Sequence, residues 1–177
     1  DIRPFTILNE AKISRNVQKI KDLYSQKGFY LADVASKIEP SGTNQVVVAF
    51  EIVEHAKVEV RSIRFVGNVA LDAALLKSEM ITREGNFLSF VTGAGTYRKD
   101  AFAFDVGRVK DHYLERGYIN VKVDTPDIEL SPDRRHVYIT IRVEEGEQHT
   151  VGKVAFSGEM LDSVDALRER TTVEEGE

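Results

Sequence analysis

The side chains of this chain that could do chemistry are few and widely spaced. Four histidines fall in different predicted elements, without the spacing of metal ligands: His55, His112, His136 and His149. The carboxylates Glu144, Glu145 and Glu147 could form an acid–base pair or hold a calcium ion. They follow a predicted strand, so we interpret them as a solvated, charged boundary.

Glycines and tyrosines suggest no catalytic site either. Gly93, Ala94 and Gly95 come nearest to a phosphate-binding loop, but no strand precedes them and no Lys-Ser/Thr pair follows. Tyr24 and Tyr113 could stack on a ligand; their place on apolar helix stripes favours core positions with a solvated hydroxyl. With no cysteine in the chain, thiolate metal sites are excluded. We therefore predict no catalytic residues, no metal and no cofactor.

The elements that would position these residues occur twice. Residues 20–29 return as residues 109–118, with an offset of 89 between Gly28 and Gly117. Residues 63–67 return as residues 154–158 with an offset of 91. A period of this length indicates a tandem array of one structural unit.

Hydrophobic spacing predicts the elements of each unit. Apolar residues step by 4, 3 and 4 along two helices, each of which ends at a glycine suited to a left-handed conformation; the residues are Ile13, Val17, Ile20 and Tyr24, and Phe102, Val106, Val109 and Tyr113. Alternating residues predict strands at 30–34, 46–53, 60–66, 119–124 and 137–143. Asp72 and its counterpart Asp162 are suited to cap a shorter helix. Val154 and Phe156 match Ile63 and Phe65, the start of a third copy.

The predicted fold class is α+β, in tandem β-α-α-β-β units. Each unit would be a three-stranded mixed sheet covered by two helices, because short turns make hairpins antiparallel and a helical crossover makes strands parallel. We predict the later part of a first unit at 1–56, a complete unit at 57–148, and the start of a third at 149–177. Both ends are expected to lie within a longer array.

Composition excludes further classes. The 177 residues carry a net charge of −5, whereas general nucleic-acid binders usually present a basic patch. No run of 18 apolar residues predicts a membrane-spanning helix.

These motifs together resemble the tandem POTRA (polypeptide-transport-associated) domains of BamA-like outer-membrane protein assembly factors. The resemblance rests on residues 63–68, 113–118, 130–133 and 137–141, in order and at one period, and it covers nearly the whole chain. The Gly158-Glu159 pair departs from the Gly-Asn of the preceding unit, and the loop at 83–96 is long for the family.

The resemblance implies a function in binding unfolded outer-membrane β-barrel proteins and accessory assembly lipoproteins, with periplasmic chaperones as a further class of partner. The implied location is the periplasmic face of the Gram-negative outer membrane, with attachment only through a β-barrel outside this sequence. It also implies strand order 1-3-2, which leaves each second strand at a sheet edge where an extended chain can pair with it. The predicted edge residues are Ile119, Asn120, Val121, Lys122, Val123 and Asp124, and Tyr30, Leu31, Ala32, Asp33 and Val34.

Several alternatives remain open at this stage. The array could be a passive scaffold or spacer arm, or the POTRA region of a translocation-assembly or two-partner secretion transporter. An enzyme or a nucleic-acid-binding domain of similar α/β topology is disfavoured by the missing catalytic constellation and the acidic charge. Lys122 and Asp124 could also protect their edge from pairing.

Overall fold

The computed structural model describes residues 7–86, 89, 95–158, 163–171 and 176. The predicted Asp162 cap and the glycine loop at 93 and 94 lie outside them. The helices and strands are, in chain order, α1 (Glu10–Gln26), β1 (Asp33–Pro40), β2 (Val46–Val53), β3 (Glu59–Val66), α2 (Ala73–Glu79), α3 (Lys99–Leu114), β4 (Lys122–Val123), β5 (Asp127–Leu130), β6 (His136–Glu144) and α4 (Val164–Arg170).

The sheet of the second unit has the predicted mixed topology. β3 pairs parallel with β6, and β4 and β5 pair antiparallel with the other side of β6. The order is thus first, third and second strand, and the order that the family resemblance implied is confirmed. In the first unit β1 and β2 form an antiparallel hairpin, and β2 has no strand on its other side among the described residues.

The main core lies between this sheet and helices α2 and α3. The alternating residues of β6 are all buried, as its period of two predicts; they are Val137, Ile139, Ile141 and Val143. Leu76 of α2 and Val109 and Tyr113 of α3 are fully buried against them. Asp72 caps α2, with a 2.6 Å hydrogen bond from the amide of Ala74 to its carboxylate.

The end of the long helix is built identically in both units. Gly28 and Gly117 adopt φ values of 92° and 82°, in the region that side-chain-bearing residues resist. The next residue donates its amide to the tyrosine five positions earlier, at 2.9 Å for Phe29 and 3.1 Å for Tyr118. The same residues stack edge to face on Tyr24 and Tyr113, with ring centroids 6.0 and 5.8 Å apart.

A glutamate at the end of the last strand binds this helix end. The hydroxyl of Tyr113 donates to Glu145 at 2.9 Å, and the Ala70 amide donates to both oxygens of the same carboxylate. Burial and then Glu145 raise the pKa of Tyr113. Desolvation and then Glu54, the preceding unit's counterpart of Glu145, raise the pKa of Tyr24. The interpretation of Glu145 as a merely solvated boundary was therefore wrong, because it joins α3 to the loop after β3.

The strands that follow the two glycines begin later than predicted. The amides of Ala32 and Val121 donate back to the residue three positions earlier, both at 3.1 Å, which adds a turn before each strand. β1 therefore starts at Asp33 and β4 at Lys122. Ile119, the first residue of the predicted strand at 119–124, lies instead in this turn and is 59% exposed.

The third copy is only partly formed among the described residues. Val154 and Phe156 are half-buried, but residues 151–157 form no strand, because the described residues offer them no partner strand. The amide of Gly176 donates to the Val151 carbonyl at 2.7 Å, as Gly85 does to Val60 at 2.8 Å. Gly176 and Val151 thus make the same contact as Gly85 and Val60, at the offset of 91 that relates the copies. The N-cap of α4 is Ser163, whose hydroxyl accepts from the Ala166 amide, so the prediction of Asp162 as the cap was wrong by one residue.

Two glycine substitutions near α3 should have opposite effects on stability. A Cβ at Gly117 would lie 2.3 Å from the His149 carbonyl oxygen, in addition to the cost of its positive φ, so Gly117→Ala should lower the free energy of unfolding by at least about 1–2 kcal/mol. Gly107 lies inside α3 with open space around it, and Gly107→Ala should raise that free energy by about 0.5–1 kcal/mol. Urea unfolding measures both. Equal effects would contradict the role of Gly117.

Candidate functional site

The outer edge of β1 is continuous over eight residues. Ser41 donates to the Gln45 carbonyl at 2.9 Å beside the last pair of the ladder, Pro40 with Val46. Because hydrogen-bonded pairs alternate along an antiparallel ladder, the amides of Val34, Ser36 and Ile38 point away from β2. None of the three donates to another described residue. This edge therefore offers three main-chain donors in register.

The side chains along β1 leave most of this edge accessible. Val34 is buried, whereas Ser36 and Ile38, which share its face, are exposed. On the opposite face, Lys37 and Glu39 form an exposed ion pair at 2.7 Å. Such a pair contributes little to stability, but charges on an edge strand discourage pairing between copies of the chain.

The edge formed by β4 and β5 is interrupted. Val123 pairs with Val143 and Asp127 with Thr140, so the edge strand has one residue more than β6 over this stretch and forms a bulge. The bulge contains Pro126, which has no amide to donate. Lys122 forms an exposed ion pair with Glu144 at 3.1 Å. A bulge, a proline and charged side chains are the features that protect edges from strand addition.

The outer edge of β3 is largely covered. Val60 donates to Gly95 at 2.7 Å and accepts from Gly85, and Tyr97 donates to Val58 at 2.7 Å. Beyond a register shift in β3, the Ile63 amide donates to the Glu84 carboxylate at 2.7 Å. Along β3, both main-chain groups of Val60 and the Ile63 amide thus have partners within the chain.

Glu84 is held in its charged form at this edge. Partial burial acts to raise its pKa, but the Lys77 ammonium at 2.8 Å and the Ile63 amide outweigh burial and lower the pKa of Glu84 below its usual value. The Glu84 carboxylate thus accepts from the Ile63 amide, a main-chain donor that would otherwise be open to an incoming strand.

Tyr30 and Leu31, two residues of the predicted first edge, lie instead in the joint between the units. The Tyr30 ring stacks edge to face on the buried Tyr97 of the second unit, with centroids 4.8 Å apart. Leu31 also packs against the core of that unit. The Lys57 ammonium lies 5.3 Å from the Phe29 ring centroid, a cation–π contact across the same joint. Ala32 is buried just before the strand. Because β1 begins at Asp33, only Asp33 and Val34 of the predicted set belong to the edge strand, and Val34 has its side chain buried.

The second predicted edge is divided in the same way. Ile119 and Asn120 lie in the turn, Val121 is buried, and Val123 is half-buried. Lys122 and Asp124 are exposed, and the Asp124 amide donates inward to the Arg142 carbonyl at 3.0 Å. Only the outward main-chain groups of Val123 and β5 remain on this edge.

Two buried side chains were not predicted from the sequence, Tyr97 and Asp105. Tyr97 follows a glycine-rich segment with no helical or alternating pattern, so nothing marked it as core. The carboxylate of Asp105, in α3, is fully buried and accepts from the amides of Ile81 and Thr82 at 2.5 and 2.8 Å. The position of Asp105, an acidic residue on the inner side of a predicted helix, could have indicated this buried carboxylate. Its contacts fix the chain leaving α2, which is a structural role.

The histidines lie in separate parts of the structure. His55 is 3.1 Å from Asp33, His136 is 3.6 Å from Asp133, and His112 is 4.0 Å from Glu115. No group of three His, Asp or Glu side chains that could ligate a metal occurs in the described part of the chain. None of the helices described has the length and hydropathy of a membrane span.

Comparison with known proteins identifies the family of these two units. The model of the POTRA family, described as surface antigen variable number repeat, matches residues 1–55 and 58–146. The chain belongs to the POTRA family. POTRA domains of this kind are not enzymes, and the two α+β units have the fold of the family, with the strand order 1-3-2 present in the second unit.

Curated relatives and solved structures lie in the same family. The outer membrane protein assembly factor BamA of Nitratidesulfovibrio vulgaris is 25% identical over 163 residues, which are 92% of this chain and 20% of that protein. BamA of Neisseria meningitidis serogroup B is 26% identical over 85% of this chain and 19% of its own length. This chain thus spans about a fifth of these relatives. The structure of Haemophilus influenzae BamA POTRA3-5 matches with a TM-score of 0.53 and 22% identity, over 99% of this chain and 69% of that one, which shows the common fold.

Glu84→Gln should lower the free energy of unfolding by about 1 kcal/mol at pH 7, because the amide weakens two hydrogen bonds and removes an ion pair. The folded-state pKa of Glu84 is lowered, so its contribution is present above the unfolded pKa and is lost as pH falls through the folded pKa. The difference between variant and parent should therefore shrink below about pH 4. Urea unfolding across pH measures it.

Glu79→Gln is the matched control. Glu79 is as exposed as Glu84, but its partner among the described residues is Arg108 alone, at 3.2 Å. Loss of this ion pair in Glu79→Gln should lower the free energy of unfolding by at most about 0.5 kcal/mol. Equal costs for the two variants would mean that the Ile63 amide contributes nothing to the effect at Glu84.

Proposed function

We propose that this region receives unfolded outer-membrane β-barrel proteins at a sheet edge, within a BamA-like assembly factor, on the periplasmic face of the Gram-negative outer membrane. The observation that carries the proposal is the outer edge of β1, where the amides of Val34, Ser36 and Ile38 have no partner among the described residues. Membership of the POTRA family and similarity to BamA support the setting.

Strand addition suits such a substrate. Main-chain hydrogen bonds recognise any extended chain, so one edge can receive precursors of many sequences. The neighbouring side chains of β1 then add preference: exposed Ile38 offers an apolar contact and Ser36 a small polar one. A precursor strand with alternating apolar residues would place one face beside Ile38.

The β4–β5 edge is the second predicted site, in a weaker form. Its outward groups at Val123 and β5 are separated by the bulge at Pro126, so an incoming strand could pair only over short stretches. We assign it the same role with lower affinity than the β1 edge. Accessory lipoproteins and periplasmic chaperones are the further partners that we propose for the region as a whole.

A spacer arm is the second candidate function. The aromatic joint at Tyr30 and Tyr97 favours it, because packed joints hold neighbouring units at set angles. An arm of this kind can present the β1 edge and still bind no precursor itself, so direct binding distinguishes the two.

Ser36→Pro should weaken binding of an extended precursor peptide by at least about fivefold. It removes the central outward amide, worth about 1 kcal/mol, and places a ring on the edge. Proline is tolerated on an edge strand where the amide faces solvent, so the hairpin should stay folded. The measurement is an NMR titration with a ten-residue peptide of alternating apolar and polar residues from a β-barrel precursor.

Ser36→Ala is the control, since it removes the hydroxyl and keeps the amide; it should bind like the parent. Equal affinity of the proline and alanine variants, with both hairpins folded, would rule out pairing at β1 and leave the spacer arm. At the second edge the corresponding variant is Val123→Pro, because the Val123 amide points outward, whereas the Val121 amide donates to Tyr118 and its side chain is buried.

A further inference from the structure

A cavity of about 380 Å³ opens at the joint between the two units. The end of α1 and Lys57 form its wall on one side, and residues 81–83, Gly95, Thr96 and the start of α3 form the other. The described lining includes four cations and no carboxylate; the cations are Lys27, Lys57, Arg83 and Arg98. In a chain with a net charge of −5, this concentration of positive charge is local.

The cations are largely available to a ligand. Lys27, Lys57 and Arg98 form no ion pair with a described residue. The Lys57 ammonium lies over the Phe29 ring. Arg83 donates to the Lys77 and Ser78 carbonyls, which fixes its guanidinium in place. Arg98 also precedes the first turn of the 16-residue α3 without capping it through its side chain. The helix dipole there adds to the attraction for an anion.

The repeat shows that the fold does not require this charge. The aligned positions at the next joint keep the first cation as Arg116, but replace Lys57 with Gln148 and Arg83 with Glu174. The Gln148 side chain donates to the Arg116 carbonyl at 3.0 Å, so that joint uses a neutral contact. Neighbouring units can therefore meet with a neutral side chain in place of Lys57, and in sequence the positive lining is particular to the first joint.

We propose that this cavity binds a carboxylate-bearing peptide segment of a partner protein. The volume corresponds to roughly a dozen water molecules, which is more than one phosphate group needs. Ile81 and Ala101 also line it and supply apolar contact beside the charges. Lysine and arginine donors at the wall suit Asp and Glu side chains. None of the lining residues belongs to β1, so this site is separate from strand addition.

Direct binding of small probes to the whole chain tests the proposal. A capped Gly-Asp-Asp-Asp-Gly peptide at about 0.15 M salt should shift the amide NMR signals of Thr82, Gly95, Thr96 and Ala101. The Asn counterpart of this peptide should bind at least about tenfold more weakly, because its neutral amides lose the charge-assisted hydrogen bonds. Inorganic phosphate should also bind more weakly than the acidic peptide.

Arg98→Gln and Lys27→Gln should each weaken the acidic peptide about five- to tenfold. Both side chains are exposed, so the fold should persist, as unchanged NMR signals far from the joint would show. Lys19→Gln makes the same charge change about 12 Å along α1 from Lys27, beyond the screening length of about 8 Å, and should alter affinity less than twofold.

Three results would overturn the proposal: equal binding of the Asn peptide, an equal loss in Lys19→Gln, or tighter binding of phosphate with the same amide shifts. The last would make the cavity a site for a bare anion. The Ser36→Pro variant should bind the acidic peptide normally, so a failure of strand addition at β1 and a failure of this site give different results.

Discussion

The structure depends on a left-handed glycine at the end of the long helix of each unit. Gly28 and Gly117 reverse the chain where a side chain would meet its neighbour, Thr96 in one case and His149 in the other. That close approach allows the end of one unit's helix to contact residues that follow in the chain, Lys57 and Thr96 in one case and Gln148 and His149 in the other. The edge-to-face aromatic pair beside each glycine secures the same turn from within the unit. One constraint thus sets both the helix end and the spacing between units.

The three sheet edges differ in how the chain satisfies their main-chain groups. The β3 edge is occupied by Gly85, Gly95 and the Glu84 carboxylate, and the β4–β5 edge is broken by a bulge and a proline. Buried or edge amides without a partner are costly or prone to aggregation, so these two arrangements protect the fold. The β1 edge keeps its outward donors and carries only a charged pair on one face. This contrast, more than the mere presence of edges, is what favours β1 for binding.

The repeat and its periodicity made most of the fold predictable. Prediction failed where contacts between units decide the structure. The helices at Ile13–Tyr24 and Phe102–Tyr113 and the buried face of β6 follow from periodicity, because each element buries one face within its own unit. The start of β1 could not be predicted this way. Tyr30 alternates like a strand residue, but its partner Tyr97 lies 67 positions away in another unit. A local sequence pattern cannot reveal a contact between residues so far apart in the chain. The aromatic contact with Tyr97 outweighs the strand propensity of Tyr30.

The joint also explains why some of the predicted edge residues lie between the units and others lie on the edge strand. A residue just after the helix-ending glycine is close to the next unit, so an apolar side chain there gains more by entering the neighbouring core than by facing solvent on an edge. Tyr30 and Leu31 are drawn into that core, and the strand begins only where the chain has moved past the joint, at Asp33. Because the next unit's core includes residues of the first, the angle between the units is set by side-chain packing as well as by the linker at 54–58. A partner that binds the basic wall of the joint would therefore contact both units at once, and its affinity would depend on their relative position.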